Sequence, residues 1–192
     1  MMKSLLNEVE KEVRIRGIND SLAAEVVRKI PALKNRRVVG GYASVVMVDR
    51  EGHKITKEAL IDATARFMSE LYYRPINVFH SDVTVGRILP KWTNPKTGEV
   101  ITTHVDEIGW YIVAEIRDDV EIADKVWEEV ERGNLRSFSI AGSSKSKTED
   151  YENGRSVTLI TKLEIYECTI CAEPVCPMAK FDFFYSPNEA WI

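Results

Sequence analysis

From Val38 onward, apolar residues recur with a period of two in segment after segment, and this alternation limits the chain to a fold dominated by β-strands. The first segment, Val38-Val39-Gly40-Gly41-Tyr42-Ala43-Ser44-Val45-Val46-Met47-Val48, reads as one long strand. Its paired glycines permit a bulge or sharp bend, and Asp49-Arg50-Glu51-Gly52 is a turn. Shorter strands are expected at 76–80, 85–92, 99–105 and 109–117, with a turn at Asn94-Pro95-Lys96-Thr97-Gly98. Two longer strands, 135–147 and 156–172, are joined across the hairpin signal Tyr151-Glu152-Asn153-Gly154.

Two segments break the alternation with helical spacing. Thr56 is placed to cap a helix running to about Leu71, with Ala59, Leu60, Ala63, Phe67 and Leu71 as its apolar stripe. A second helix follows Asp118-Asp119, carries Ile122 or Ala123, Val126, Trp127 and Val130 on one face, and ends at Gly133. The expected class is therefore α+β: about seven strands, mostly antiparallel, in a curved or closed sheet with inserted helices. Before Val38, Leu5, Val9 and Val13 and then Leu22, Val26 and Ile30 mark two short helices. Gly17 stops the first, Asp20 can cap the second, and Ala32–Arg37 forms a basic connector. The organisation reads as a helical appendage at 1–36, a main domain at 37–180 and a tail at 181–192. The appendage either packs on the domain or serves as a targeting arm. The aromatic run Phe181-Asp182-Phe183-Phe184-Tyr185 is either a last core strand or an interface.

Composition excludes some classes of function. The 192 residues carry 26 Lys+Arg and 30 Asp+Glu, a net charge of −4, without the basic stripe that neutralises phosphates. Nucleic acid is not an expected partner. No apolar run approaches the ~18–20 residues that span a bilayer, so no membrane partner is expected either, and the chain reads as cytosolic. Cys168, Cys171 and Cys176 are odd in number and lack a fourth Cys or His downstream for zinc. No metal or cofactor is expected, and buried thiols running into a Pro-containing turn describe the three cysteines.

The histidines and serines carry the chemistry worth weighing. His53 lies in a charged turn and reads as a solvated residue, and His104 as an exposed strand position. His80 ends the apolar strand Ile76-Asn77-Val78-Phe79 and opens a loop, where a rigid scaffold presents catalytic groups. Ser139 lies in Leu135-Arg136-Ser137-Phe138-Ser139-Ile140-Ala141-Gly142. A serine needs a base to take its proton and donors for the oxyanion, and Ala141-Gly142 offers small residues where a substrate carbonyl must approach backbone. Ser137 is on the same strand face as Ser139. Glu167 alternates with Leu163 and Ile165, and an acid on such a face requires a partner; a histidine imidazolium is one.

The order of these features resembles a known family. Gly41-Tyr42-Ala43-Ser44, Asp49-Arg50-Glu51-Gly52, a helix, Asn77-Val78-Phe79-His80, and then Trp127 through Gly142 are similar to the prohead maturation proteases of tailed viruses, in particular the XkdF-type phage serine proteases. Glu164-Ile165-Tyr166-Glu167-Cys168-Thr169 followed by Ala172-Glu173-Pro174-Val175-Cys176-Pro177 is similar to that family's Glu-x-Ser strand and Pro-containing turn. The resemblance covers about residues 38–180. It implies a herpesvirus-assemblin-like β-barrel of about seven strands, and a serine endopeptidase that acts in the host cytoplasm inside the assembling procapsid. Its implied substrates are the scaffold protein, the major capsid protein and often the protease itself, and a homodimer or homo-oligomer is expected. Carried over by position, Ser139 is the nucleophile, His80 the base and Glu167 the residue that orients His80. The related assemblins use a second histidine in that third place, which keeps His104 as a rival, and Ser137 is the rival nucleophile. The family's glycine directly after Ser-Ile is Ala141 here, a departure that motivates the alternative of a catalytically inactive, protease-fold capsid module.

Overall fold

A computed structural model of the chain describes residues 3–9, 37–69 and 74–186. In chain order the elements are β1 (Val38–Val45), β2 (His53–Ile55), α1 (Lys57–Ser69), β3 (Pro75–Val78), β4 (Thr84–Leu89), β5 (Lys91–Thr93), β6 (Val100–Thr102), β7 (His104–Val105), β8 (Gly109–Ile116), α2 (Glu121–Glu131), β9 (Ser137–Glu152), β10 (Arg155–Cys171) and β11 (Phe181–Tyr185). Thr56 caps α1 as expected, its Oγ1 accepting the Ala59 N–H at 3.2 Å. Asp119 does not cap α2. It forms a two-point ion pair with Arg117 (2.7 and 2.8 Å), which holds its carboxyl below the usual range, and the residue before α2 is Val120. Gly133 ends the α2 turn with φ 72°.

The main sheet has nine strands in the order β11-β1-β8-β4-β3-β10-β2, with β7 attached to β8 and β9 to β10. The expected barrel of about seven mostly antiparallel strands is therefore corrected to a mixed sheet whose ladder does not close. Two pairings, β10 with β2 and β10 with β3, are parallel. They arise because β2 joins β10 at Thr158–Ile160 and β3 joins the same edge at Cys168–Ile170. The gap from Ile160 to Cys168 is about 26 Å of strand, and the 13 residues of α1 cover about 20 Å of it. Where closure would occur, β9 meets the chain entering β11 at an isolated bridge between Ser137 and Lys180. From Phe181 onward the register of β11 belongs to β1.

Two further sequence expectations change. The strand expected at 85–92 is split at Pro90, which has no N–H for a ladder, and the 99–105 strand is split at Thr103. Thr103 instead bonds three ways: its N–H to Pro90 O (2.9 Å), its hydroxyl to Leu89 O (2.6 Å), and its Oγ1 from the Val113 N–H (3.0 Å). β5 and β6 consequently form a separate ribbon.

β1 is apolar on both faces because it serves two cores. Val39 and Ala43 enter the main cluster with Trp110, Ile112 and Phe138, while Val38 joins Trp92, Val113 and Tyr185 on the other side. Phe181–Tyr185 is thus a core strand, the first of the two readings of the aromatic tail. Residues 3–9 are helical and bury Leu5 and Val9 in the main core, so this part of the appendage packs on the body, with Glu8 paired to Lys125 at 2.5 Å. The Gly17 stop, the second helix at 22–30 and most of the connector lie outside the described residues. Among the described residues no helix is long and apolar enough to cross a membrane.

The expected irregularity at the paired glycines is present as a register shift between Gly40 and Gly41 against β11. A Cβ on Gly41 would stand 2.1 Å from Lys180 O and 2.8 Å from Phe181 Cα, both backbone atoms that cannot step aside cheaply. Gly41→Ala is expected to lower the unfolding free energy by about 1–3 kcal/mol, read as a lower urea midpoint at unchanged slope. An unchanged midpoint would mean that β11 is not held against Gly41 in solution.

Candidate active site

The strand β3 ends in a turn that the sequence does not advertise. Phe79 and His80 have φ of 54° and 50°, two successive non-glycine residues in the left-handed region. Each such residue costs on the order of 1–3 kcal/mol and persists only where its surroundings fix it. Here the Phe79 N–H donates to Ile170 O (3.0 Å), the His80 N–H to Thr169 Oγ1 (3.1 Å), and the Ser81 hydroxyl to Val78 O (2.5 Å). The His80 side chain that this turn carries is 43% exposed.

Ser139 lies on β9 and is 5% exposed, with its hydroxyl 3.0 Å from His80 Nε2. The opposite ring nitrogen, Nδ1, stands 3.5 Å from Glu167 Oε1. That carboxylate oxygen is buried and makes no hydrogen bond, so the imidazole is the group that faces its charge. The three residues brought together by the fold are the three singled out from the sequence. Their convergence follows from the β9–β10 ladder, in which Ser139 pairs with Thr169 and Ala141 with Glu167.

Glu167 does not share a face with Leu163 and Ile165, as strict alternation predicts. The ladder slips between Ile165 and Glu167, and the buried apolar phase moves from Leu163 and Ile165 to Cys168 and Ile170. Glu167 and Thr169 thereby fall on the alternate face, toward His80. The rivals make their contacts elsewhere. Ser137 is buried and points its hydroxyl at Ala172 O (3.5 Å). His104 bonds Thr102 O (2.9 Å), pairs with Asp106 (3.5 Å) and stacks on Tyr111. Burial pushes the Cys171 thiol up to about 11, and burial with the nearby Glu167 charge raises Cys168 as well, so both are protonated, inert thiols at neutral pH.

A cavity of about 350 Å³ opens beside Ser139. One wall is β9 from Ser139 to Gly142, the other is the end of β1, the turn after it and the start of β2, including Ser44, Met47 and His53. His53 is thus half-buried in a cleft wall, close to Glu51 (3.5 Å), and not the freely solvated residue its charged neighbours suggest. Gly142 also has a different reason from the one expected. A Cβ there would meet Glu164 O at 2.2 Å, so the glycine is required by the ladder itself, although it lines the cleft together with Ala141. Two contributors were missed from sequence: the β1 wall, whose apolar alternation looks like any core strand, and Thr169, whose hydroxyl reaches the His80 backbone.

No curated protein matches the chain. The family model Peptidase_S78, caudovirus prohead serine protease, matches residues 25–187, a span that starts before Val38 and includes His80, Ser139 and Glu167. A match over most of the chain, with a serine and a histidine at one cleft and an acid behind the histidine, makes this chain a member of the caudovirus prohead serine protease family, and so an enzyme of capsid maturation.

Proposed function

We propose that the chain is the endopeptidase that cleaves scaffold protein, major capsid protein or both inside the assembling procapsid, with Ser139 as nucleophile, His80 as general base and Glu167 as the residue that orients and charges against His80. The observation that carries this reading is the 3.0 Å separation of Ser139 Oγ and His80 Nε2, a hydrogen-bond distance at which a proton can pass. For Nε2 to accept that proton, the resting imidazole holds its own on Nδ1, the nitrogen facing Glu167.

The reaction then runs in two stages. Ser139 Oγ attacks the scissile carbonyl as His80 Nε2 takes its proton, and Glu167 stabilises the imidazolium. Collapse of the tetrahedral intermediate breaks the C–N bond, Nε2 returns the proton to the leaving amine, and an acyl-enzyme remains on Ser139. Water, deprotonated by the same histidine, attacks the acyl carbon; the C–Oγ bond breaks, Nε2 returns the proton to Ser139 Oγ, and the new carboxylic acid leaves. The 3.5 Å gap between Nδ1 and Glu167 is wide for a resting pair, and the positive charge formed in the first stage favours its closure. The partners in this reading are proteins, in keeping with the acidic charge balance, and the enzyme works as a homodimer or homo-oligomer. The 3.0 Å approach of serine and base favours this reading over the inactive-module alternative that the Ala141 departure motivates.

Co-expression with the neighbouring capsid protein tests the reading. Intact-mass analysis is expected to show capsid fragments with the wild type and none with Ser139→Ala in a folded protein; full cleavage by the variant would remove Ser139 as nucleophile. Glu167→Gln keeps the shape and loses the charge. It is expected to lower kcat by about 10²- to 10⁴-fold with little change in KM. Wild-type kcat in that variant would mean that the carboxylate has no part in the reaction.

A further inference from the structure

The His80 backbone hangs on an anchor that the three converging side chains do not include. Thr169 is fully buried, is the ladder partner of Ser139, and stands two residues after Glu167 on β10. Its Oγ1 accepts the His80 N–H at 3.1 Å. The preceding amide, Phe79 N–H, donates to the backbone carbonyl of Ile170, a bond that survives any change of side chain. The His80 amide instead depends on a side-chain oxygen, and so on which residue occupies position 169. The need for it is plain from the backbone: Phe79 and His80 are two successive left-handed residues, neither is a glycine, and the bulky Phe79 takes this conformation only at a cost.

We propose that Thr169 is a positioning residue, whose hydroxyl locks the His80 backbone so that Nε2 is presented to Ser139. The proposal rests on the reading of His80 and Ser139 as base and nucleophile. The imidazole swings with the His80 backbone, so releasing its amide moves the ring tip while leaving serine and carboxylate in place. β10 would then fix the base at two points, Thr169 at its backbone and Glu167 at its ring, while the same strand holds Ser139 across the ladder. A hydroxyl-bearing residue is required at 169; a valine of equal shape fills the space and takes away the acceptor that the His80 N–H has here.

A fluorophosphonate tests this without knowledge of the cleavage sequence, because it phosphonylates an activated serine with loss of fluoride. Thr169→Val is expected to slow labelling of Ser139 by about 10- to 100-fold, the effect of a base displaced by roughly an ångström, while Thr169→Ser restores most of the rate. Rates are taken per folded molecule, so a purely structural role would lower the melting temperature and leave them unchanged. In the wild type the His80 amide is expected to be protected from hydrogen exchange, and to exchange at least about tenfold faster in Thr169→Val. Wild-type labelling by folded Thr169→Val, or an unprotected His80 amide in the wild type, overturns the proposal. If Thr169→Val does not fold, Thr169→Ala, which removes the hydroxyl without adding a methyl, is judged by the same two outcomes. A wild type that labels no faster than Ser139→Ala instead overturns the assignment of Ser139 and His80, whatever the exchange measurement reads.

Discussion

Ser139, Glu167 and the loop that carries His80 are all held by one strand, β10. On one edge β10 pairs with β9 and sets Ser139 opposite Thr169; on the other it pairs in parallel with β3, whose end leads directly into Phe79 and His80. The site is thus the width of three strands, with the nucleophile on one side, the acid in the middle and the base on the other. Hydrogen-bond register, rather than loop conformation, decides whether the three side chains meet, and a one-residue slip in either pairing would turn them to opposite faces.

The slip between Ile165 and Glu167 is therefore part of the site. It lets β10 bury Leu163 and Ile165 beneath α1 and still direct Glu167 and Thr169 toward His80. The left-handed pair Phe79 and His80 performs the matching task at the end of β3, where a regular continuation would carry the histidine along the ladder instead of over Ser139. Both departures from regular geometry occur at the site, which is where a fold concentrates such local costs, and the turn is held by the amide bonds of Phe79 and His80.

Much of this was legible in the sequence. Period two from Val38 marked most of the strands, though not β2 or the breaks at Pro90 and Thr103, and Thr56 marked the start of α1 and Gly133 the end of α2, because alternation and capping are local signals. His80 at a strand end and Ser139 after a glycine-capped helix were legible for the same reason, and the family resemblance joined them. What could not be read is what depends on partners distant in sequence. The parallel pairing of β2 and β3 with β10, the unclosed ladder at Ser137 and Lys180, and the phase change before Glu167 are set by which strands lie side by side. The hydrogen bond of Thr169 to an amide 89 residues away leaves no periodic trace at all.

The site of covalent attachment after reaction with a fluorophosphonate tests the central claim most directly. Peptide mass mapping of the folded protein is expected to place the phosphonyl group on Ser139, and His80→Ala is expected to abolish the adduct. Attachment at Ser137 or Cys176, or an adduct on Ser139 that forms as fast without His80, would contradict the account.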